Sequence, residues 1–261
     1  MAQYCRRRAS FLSGSPVIKH RFLSLAYLLT LIGGAWQLAR HSGVPAFLLP
    51  APQAVGAALW QQRALLAHHA IYTLGEIVLA LLLGGGAGVA LAILMSASPL
   101  LRRLLFPLVT ASQTIPVFAL APLLVLWLGF GVASKVTVAA LIIFFPLCLS
   151  LFDGLCRTPP GWLELAHTLS RSRLRHFLHV RWPAALPHFF SGLQMAAILA
   201  PVGVVIGEWV GASEGLGYLM MHASARLETP LSFAALALLM LLALSLSGGV
   251  ALLRRRFLYS A

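Results

Sequence analysis

The chain has 261 residues, among them nine histidines, three cysteines and only six carboxylate side chains. Catalysis or metal binding would need paired carboxylates, a Ser/His/Asp order or closely spaced Cys and His ligands, and the sequence holds none of these. It also lacks a GxxxxGK[ST] phosphate-binding loop, because its two lysines are the isolated Lys19 and Lys135. We therefore predict no catalytic residue, no metal site and no cofactor bound by this chain.

His68, His69 and His222 are the histidines closest to a metal-ligand pattern. Neighbouring histidines without carboxylates or thiols form a weak ligand set, so we expect all three to be exposed polar side chains. Glu76 and Glu208 lie within or near apolar runs. Ionisable groups at membrane depth are costly, so these two either line a polar pathway or lie at the interface in a packing role.

Composition places most of the chain in lipid. Hydrophobic residues make up 60% and charged residues 10%, whereas a soluble domain carries about 25% charged residues. The net charge of +13 does not indicate nucleic-acid binding, because the basic residues form short clusters rather than a continuous basic face. The sequence predicts an all-α polytopic membrane protein.

A span needs about 20 apolar residues, and about six can be placed, separated by polar connections. The region 53–66 is predicted to form an amphipathic helix along the interface. Gln113-Thr114-Ile115-Pro116 and Pro122 are predicted to interrupt the third span. The six spans are roughly 22–39, 72–95, 104–128, 135–153, 187–212 and 232–253.

Basic residues set the orientation of these spans. All but four of the 19 Arg and Lys residues lie in segments 1–21, 96–103, 154–186 and 254–261, so these segments and both termini should face the cytoplasm. We expect a basic tail at 1–21, one membrane domain at 22–253 and a basic tail at 254–261. The first apolar run also resembles a signal peptide, but no clean cleavage site follows it, and an uncleaved span is favoured.

The loop 161–182 is predicted to form a cytoplasmic helix–turn–helix. Leu163, Ala166 and Leu169 share one face of a first helix, and Ser170-Arg171-Ser172 offers a turn or a cap for the following helix. Residues 173–181 form that second helix, which Pro183 separates from the fifth span. Such a knob suits docking into a groove of a soluble partner. The alternative is an amphipathic loop resting on anionic lipid.

The loop resembles the EAA motif of the membrane subunits of bacterial ABC importers, in which E-A-A, a glycine four residues later and I-x-L-P follow at fixed spacing. Glu164 and Ala166 match it, Ser170 stands at the glycine position, and Val180 and Pro183 hold the isoleucine and proline positions. The resemblance implies that these five residues couple the chain to a separate ATPase.

ASQTIPVFALAPLLVLWLGFG (111–131), PAALPHFFSGLQMA (183–196) and GEWVGASEGLGYLM (207–220) resemble the sulfonate, taurine, nitrate and thiamine-precursor branch of these permeases. The resemblance implies a multi-pass inner-membrane permease that imports a small polar organic nutrient, with a thiamine pyrimidine precursor slightly favoured. It implies ATP use by a partner subunit, a periplasmic or lipid-anchored binding protein, and a homodimer of the permease in membrane lipid. The alternative from another class is a secondary transporter or channel working without an ATPase.

Within this resemblance, the broken third span and the outer end of the fifth are the expected pathway. The residues assigned to it are Gln113, Thr114, Phe118, Glu208 and Trp209, with Glu76 a weaker candidate. Segment 214–226 resembles a periplasmic gate helix, and its alternative is an interfacial connector.

Overall fold

The computed structural model describes residues 33–34, 36–38, 43, 45, 47–169 and 172–259, and this part of the chain is helical with no β-strand. Short connections join its helices, consistent with an antiparallel bundle. In chain order the helices are α1 (Pro52–Gln61), α2 (Arg63–Ala97), α3 (Pro99–Ser112), α4 (Val117–Leu128), α5 (Val132–Cys156), α6 (Pro160–Leu169), α7 (Arg173–His176), α8 (Trp182–Gly211), α9 (Leu216–Ala225) and α10 (Thr229–Tyr259).

Four helical stretches of the described part are long and apolar enough to cross a membrane, and the bent pair α3–α4 makes up to five. They contain the predicted spans two to six. The first predicted span, 22–39, lies largely outside the described residues, so the count of six stays a prediction. The four stretches outside this bent pair are Arg63–Ala97, Val132–Cys156, Arg173–Gly211 and Thr229–Leu258.

Helix α5 lies at the centre, packed most extensively against α8 and α2. Glycines allow this close approach, since a Cβ at Gly84 of α2 would lie 2.7 Å from the Ala140 Cα, and one at Gly203 of α8 would lie 2.8 Å from the Ala139 Cα. Gly88, four residues after Gly84, also lies close to α5, since a Cβ there would be 2.9 Å from the Phe144 carbonyl oxygen. Small side chains fill the same three-helix core, together with Ile77, Ile143 and Val204.

The third span is broken once, at residues 113–116. Helices α3 and α4 meet there at 97°, and Pro116 is the N-cap of α4. The second predicted interruption, at Pro122, is wrong, because α4 runs through that residue. A proline inside a helix removes one backbone hydrogen bond and clashes with the preceding turn, and α4 tolerates this without ending.

The predicted amphipathic helix 53–66 is also wrong in its extent. Helix α1 ends at Gln61, Gln62 forms a junction, and α2 begins at Arg63. Leu66 therefore belongs to the long second helix, where it is 2% exposed in a cluster with α9 and α10. Leu66 is buried against α9 and α10. This burial explains why α2 begins at Arg63, before the first residue of the predicted span 72–95.

The helical parts of the predicted helix–turn–helix are present as α6 and α7. The Ser172 hydroxyl accepts the Arg175 backbone N–H at the start of α7, as expected of a serine cap. The predicted separation at Pro183 is wrong, because a π turn (Phe177–Arg181) joins α7 to α8 in one continuous helical stretch. In that turn the Trp182 N–H reaches the Phe177 carbonyl, a wider ring that inserts a residue without ending the helix.

Gly84→Ala should lower the stability of the bundle, because the new methyl group meets the backbone of α5 and the two helices must separate. Overpacking of this kind costs about 1–3 kcal/mol. Gly86→Ala is the matched control, since nothing lies within 4 Å of its Cβ position. The thermal midpoint of the detergent-purified protein measures both, and equal midpoints would contradict the packing described for Gly84.

Candidate functional site

Five polar side chains from three helices are buried together near one end of the bundle, and we call them the outer polar cluster. This end lies opposite the α6–α7 loop and is the one that the charge distribution predicts to face outward. Each side chain is at most 7% exposed. The cluster consists of His69, Thr73 and Glu76 of α2, Lys135 of α5 and Glu208 of α8.

The cluster satisfies the first backbone N–H groups of α9. The Gly215 N–H donates to His69 Nδ1 (3.0 Å), the Leu216 N–H to Thr73 Oγ1 (2.8 Å) and the Gly217 N–H to Glu208 Oε2 (2.5 Å). These N–H groups have no partner inside their own helix, and a carboxylate is favoured at this end of the helix dipole. Side chains of two other helices therefore fix the start of α9.

Glu208 and Thr73 are linked directly as well. The Thr73 hydroxyl donates to Glu208 Oε1 at 2.7 Å, so the threonine oxygen accepts one hydrogen bond and donates another. Both side chains are 0% exposed. His69 accepts through Nδ1, which requires that this nitrogen carries no proton.

Gly215 is required by this geometry. Its φ is +115°, and a Cβ there would collide with the Glu208 carboxylate. L residues with side chains rarely adopt such a conformation. At Gly217 a Cβ would lie 2.7 Å from Glu208 Oε2. The two glycines let the backbone approach the buried carboxylate closely.

Glu76 forms an ion pair with Lys135, which ties α2 to α5 inside the same cluster. A buried charge is tolerated when it is paired, and loss of one partner leaves the other uncompensated. The pair therefore balances one of the two buried glutamates, while Glu208 is satisfied by hydrogen bonds.

An open cleft of about 390 Å³ adjoins the cluster, and we call it the outer cleft. Aromatic rings of Tyr72, Phe130 and Trp209 line it together with Lys135 and Glu214. The Trp209 indole N–H donates to the Gly217 carbonyl at 3.2 Å. The cleft is thus a partly aromatic, polar recess whose wall includes the α8–α9 connection.

The structure separates the residues predicted for the pathway into two groups. Glu208 is buried under α9, and Trp209 lines the outer cleft. Gln113, Thr114 and Phe118 lie exposed at the α3–α4 bend, where the Thr114 hydroxyl donates to the Ala111 carbonyl. Their assignment to a translocation path stays a prediction.

The residues predicted for coupling lie on and beside α6. Glu164 is exposed, Ala166 is buried, and Val180 and Pro183 face Ala166 across a groove of about 300 Å³ that Trp162 and Leu165 also line. Trp162 and Leu165 are 57% and 61% exposed. Ser170 lies outside the described residues. The knob thus presents a carboxylate beside two large apolar side chains.

Two predictions about polar residues have clear outcomes. His68 and His222 are exposed as expected, but the expectation for His69 is wrong, since it is 7% exposed and bonded to Gly215. The burial of Thr73 and Lys135 in the outer polar cluster was not predicted from the sequence. His69, Thr73 and Glu76 fall at helical spacing on one face of an apolar helix, and that signal indicates a buried polar stripe.

Comparisons with known proteins decide the family. The model of the family "Binding-protein-dependent transport system inner membrane component" matches residues 81–259. The chain belongs to this family. It is the permease subunit of an ABC importer, a multi-pass inner-membrane protein of a non-enzymatic class whose function depends on separate ATP-binding and substrate-binding subunits.

Three relatives of this permease cover between 79% and 93% of its length. A probable ABC transporter permease protein of Haemophilus influenzae is 47% identical over 93% of this chain and 100% of its own. The formylaminopyrimidine transport permease of Halalkalibacterium halodurans is 39% identical, covering 79% of this chain and 83% of its own. The riboflavin transport permease of Chloroflexus aurantiacus is 39% identical, covering 89% and 88%.

A solved structure supports the fold of the permease. The crystal structure of an amino acid ABC transporter with histidines superposes with a TM-score of 0.62 over 77% of this chain and 97% of that chain. The identity is 18%, so this likeness bears on the fold alone.

Thr73→Val should weaken the attachment of α9, because it leaves the Leu216 N–H without its acceptor and removes a donor from Glu208. An unsatisfied buried polar group costs about 1–3 kcal/mol. Hydrogen exchange of the amides at 215–220 should accelerate, and the thermal midpoint should fall.

Thr137→Val is the matched control, since that hydroxyl donates to a carbonyl of its own helix, Ala133, at 2.7 Å. Equal exchange at 215–220 in both variants would contradict the role of Thr73.

Proposed function

We propose that this permease imports a small polar organic nutrient with an aromatic heterocyclic ring, a thiamine pyrimidine precursor being favoured over an aliphatic sulfonate, taurine or nitrate. The observation that carries the proposal is the lining of the outer cleft. Tyr72, Phe130 and Trp209 supply aromatic surface, and Glu214 and Lys135 supply polar groups. Ring stacking with a few placed polar groups is how proteins commonly hold planar ligands.

The charges of the outer cleft argue against an anionic substrate. Lys135 is the basic residue of its lining, and the ammonium group is already paired with Glu76 behind the wall. Glu214 adds a carboxylate on the lining itself. A sulfonate or nitrate entering this cleft would find the Lys135 charge already neutralised and would be repelled by the Glu214 carboxylate. A neutral or cationic heterocycle would not be repelled.

The names of relatives support the same choice. Permeases named for formylaminopyrimidine and riboflavin transport are each 39% identical to this chain. Those named for taurine and nitrate transport are 29% and 27% identical. The former names denote ring compounds, whereas taurine is an aliphatic zwitterion with a sulfonate group and nitrate is a small anion.

The knob on α6 is the proposed contact for the ATP-hydrolysing subunit. Exposed Trp162 and Leu165 supply apolar area, and Glu164 supplies a charge at its edge. Large apolar side chains beside polar ones are the usual composition of a protein interface. The assembly proposed here is a homodimer of the permease with ATPases on one side and a substrate-binding protein on the other.

ATPase stimulation of the reconstituted complex tests the substrate. The permease is combined with its ATPase and binding protein, and formylaminopyrimidine, taurine and nitrate are compared. We expect severalfold stimulation by the pyrimidine alone. Stimulation by taurine or nitrate alone would overturn the choice of substrate class while leaving the importer intact.

Variants of the outer cleft sharpen this test. Trp209→Ala should raise the concentration of loaded binding protein needed for half-maximal stimulation by about fivefold, the size of a lost aromatic contact. Trp60→Ala is the control, since that indole is 72% exposed on α1 and does not line the cleft. An equal response of both variants would argue against the outer cleft as part of the path.

Glu164→Lys should abolish co-purification of the ATPase while the permease still inserts into the membrane. The substitution reverses the charge at the proposed interface, and like-charge or unpaired contacts there weaken docking. Glu228→Lys reverses an exposed carboxylate at the start of α10, near the opposite end of the bundle, and should leave co-purification unchanged. Retention of the ATPase by Glu164→Lys would favour the reading of the loop as a lipid contact.

A further inference from the structure

A second cleft, of about 520 Å³, lies at the opposite end of the bundle, between the end of α2, helix α6 and the α7–π segment. We call it the basic cleft. Its walls are largely apolar, and the ionisable side chains that line it within the described part of the chain are His167, Arg173, His176 and Arg181.

The ionisable groups of the basic cleft share one sign when charged. His167 and His176 place their rings 4.5 Å apart, edge to face, and Arg173 and Arg181 line the same space. The ion pairs of the described residues, Lys135–Glu76 and Arg157–Asp153, lie elsewhere. Among the described residues no carboxylate lines the cleft, so the charged groups described there would favour a bound anion.

Arg181 is held in place at the base of the cleft. One terminal nitrogen donates to the Leu155 carbonyl at 3.1 Å and the other to the Ser96 carbonyl at 3.4 Å. Its Nε is buried and has no hydrogen-bond partner among the described residues. A guanidinium fixed in this way keeps its positive charge at the cleft, and these two hydrogen bonds use two of its five N–H groups.

We propose that the basic cleft binds a phosphate group that carries an apolar substituent. Guanidinium and imidazolium groups pair with phosphate oxygens through charge-assisted hydrogen bonds. The apolar walls, which include Ile93, Leu163 and Phe177, would cover the substituent. This chemistry belongs to an anionic phospholipid at the membrane surface and equally to a soluble phosphate ester.

The position of the site keeps it apart from the proposed ATPase contact. Leu163 and His167 of α6 line the basic cleft, whereas Trp162, Leu165 and Ala166 line the separate groove on another face of the helix. A bound phosphate would join α6 to the ends of α2 and α5, because Arg181 already holds carbonyls of both. The ligand would thereby fix the angle of the knob.

Binding is measured on the delipidated full-length permease, without ATPase or transport substrate. In one arm, native mass spectrometry compares retention of phosphatidylglycerol and phosphatidylcholine in detergent micelles. In the other, inorganic phosphate and glycerol phosphate are titrated and followed by the thermal midpoint. Preferential retention of phosphatidylglycerol would identify the ligand as an anionic phospholipid. Stabilisation by the soluble phosphates would identify it as a soluble phosphate ester.

Arg173→Gln should weaken binding in the positive arm by about fivefold, the effect of one basic residue at an anionic surface. Arg175→Gln is the matched control, since Arg175 is exposed in the same helical turn but does not line the cleft. Arg181→Gln should weaken binding further, and its thermal midpoint without ligand separates this loss from unfolding. Absence of binding in both arms, or equal weakening by Arg173→Gln and Arg175→Gln, would overturn the proposal.

Discussion

The buried carboxylate of Glu208 is the constraint on which the outer half of the structure depends. It is 0% exposed in a helix that crosses the membrane, where a carboxylate without partners would cost several kcal/mol. Each oxygen has its own donor, the Thr73 hydroxyl on α2 and the Gly217 N–H on α9. Satisfying this one group therefore fixes the relative positions of three helices.

The need to satisfy the Glu208 carboxylate also accounts for the small residues of the helix core. Thr73 can reach Glu208 only if α2 and α8 lie close to each other around α5. Gly84 and Gly203 permit that approach, because side chains there would meet the backbone of α5. Close packing supplies the dispersion energy that replaces a hydrophobic driving force in lipid, and it also positions the polar cluster. The same close approach of the helices therefore packs the core and brings the buried polar side chains within hydrogen-bonding distance of one another.

Most of the long helices could be predicted from the sequence, because a membrane span requires about 20 consecutive, mostly apolar residues. The sequence also predicted α6, the Ser172 cap and the break at 113–116, each of which depends on local chemistry. It failed at Pro122 and Pro183, since whether a proline ends a helix depends on whether neighbouring turns can rearrange. The π turn before Trp182 is such a rearrangement.

The candidate site could be predicted only in part, for a different reason. Glu208 and Trp209 stand out because charged and aromatic residues are conspicuous in an apolar span. His69 was misjudged because its partner, the Gly215 N–H, is 146 residues away and belongs to the backbone. No local pattern reveals a side chain that caps a distant helix, although the spacing of His69, Thr73 and Glu76 marks the face that does so.

The continuous helix from Arg173 to Gly211 links the two ends of the molecule. Its 39 residues correspond to about 58 Å at the rise of an α-helix. One end carries Arg173 and Arg181 of the basic cleft, and the other end carries Glu208. Val180 and Pro183 of this stretch line the groove beside α6, and Trp209 of the same stretch lines the outer cleft. Under the proposed import cycle, a partner docked on α6 would therefore contact a helical stretch that continues to the carboxylate holding α9.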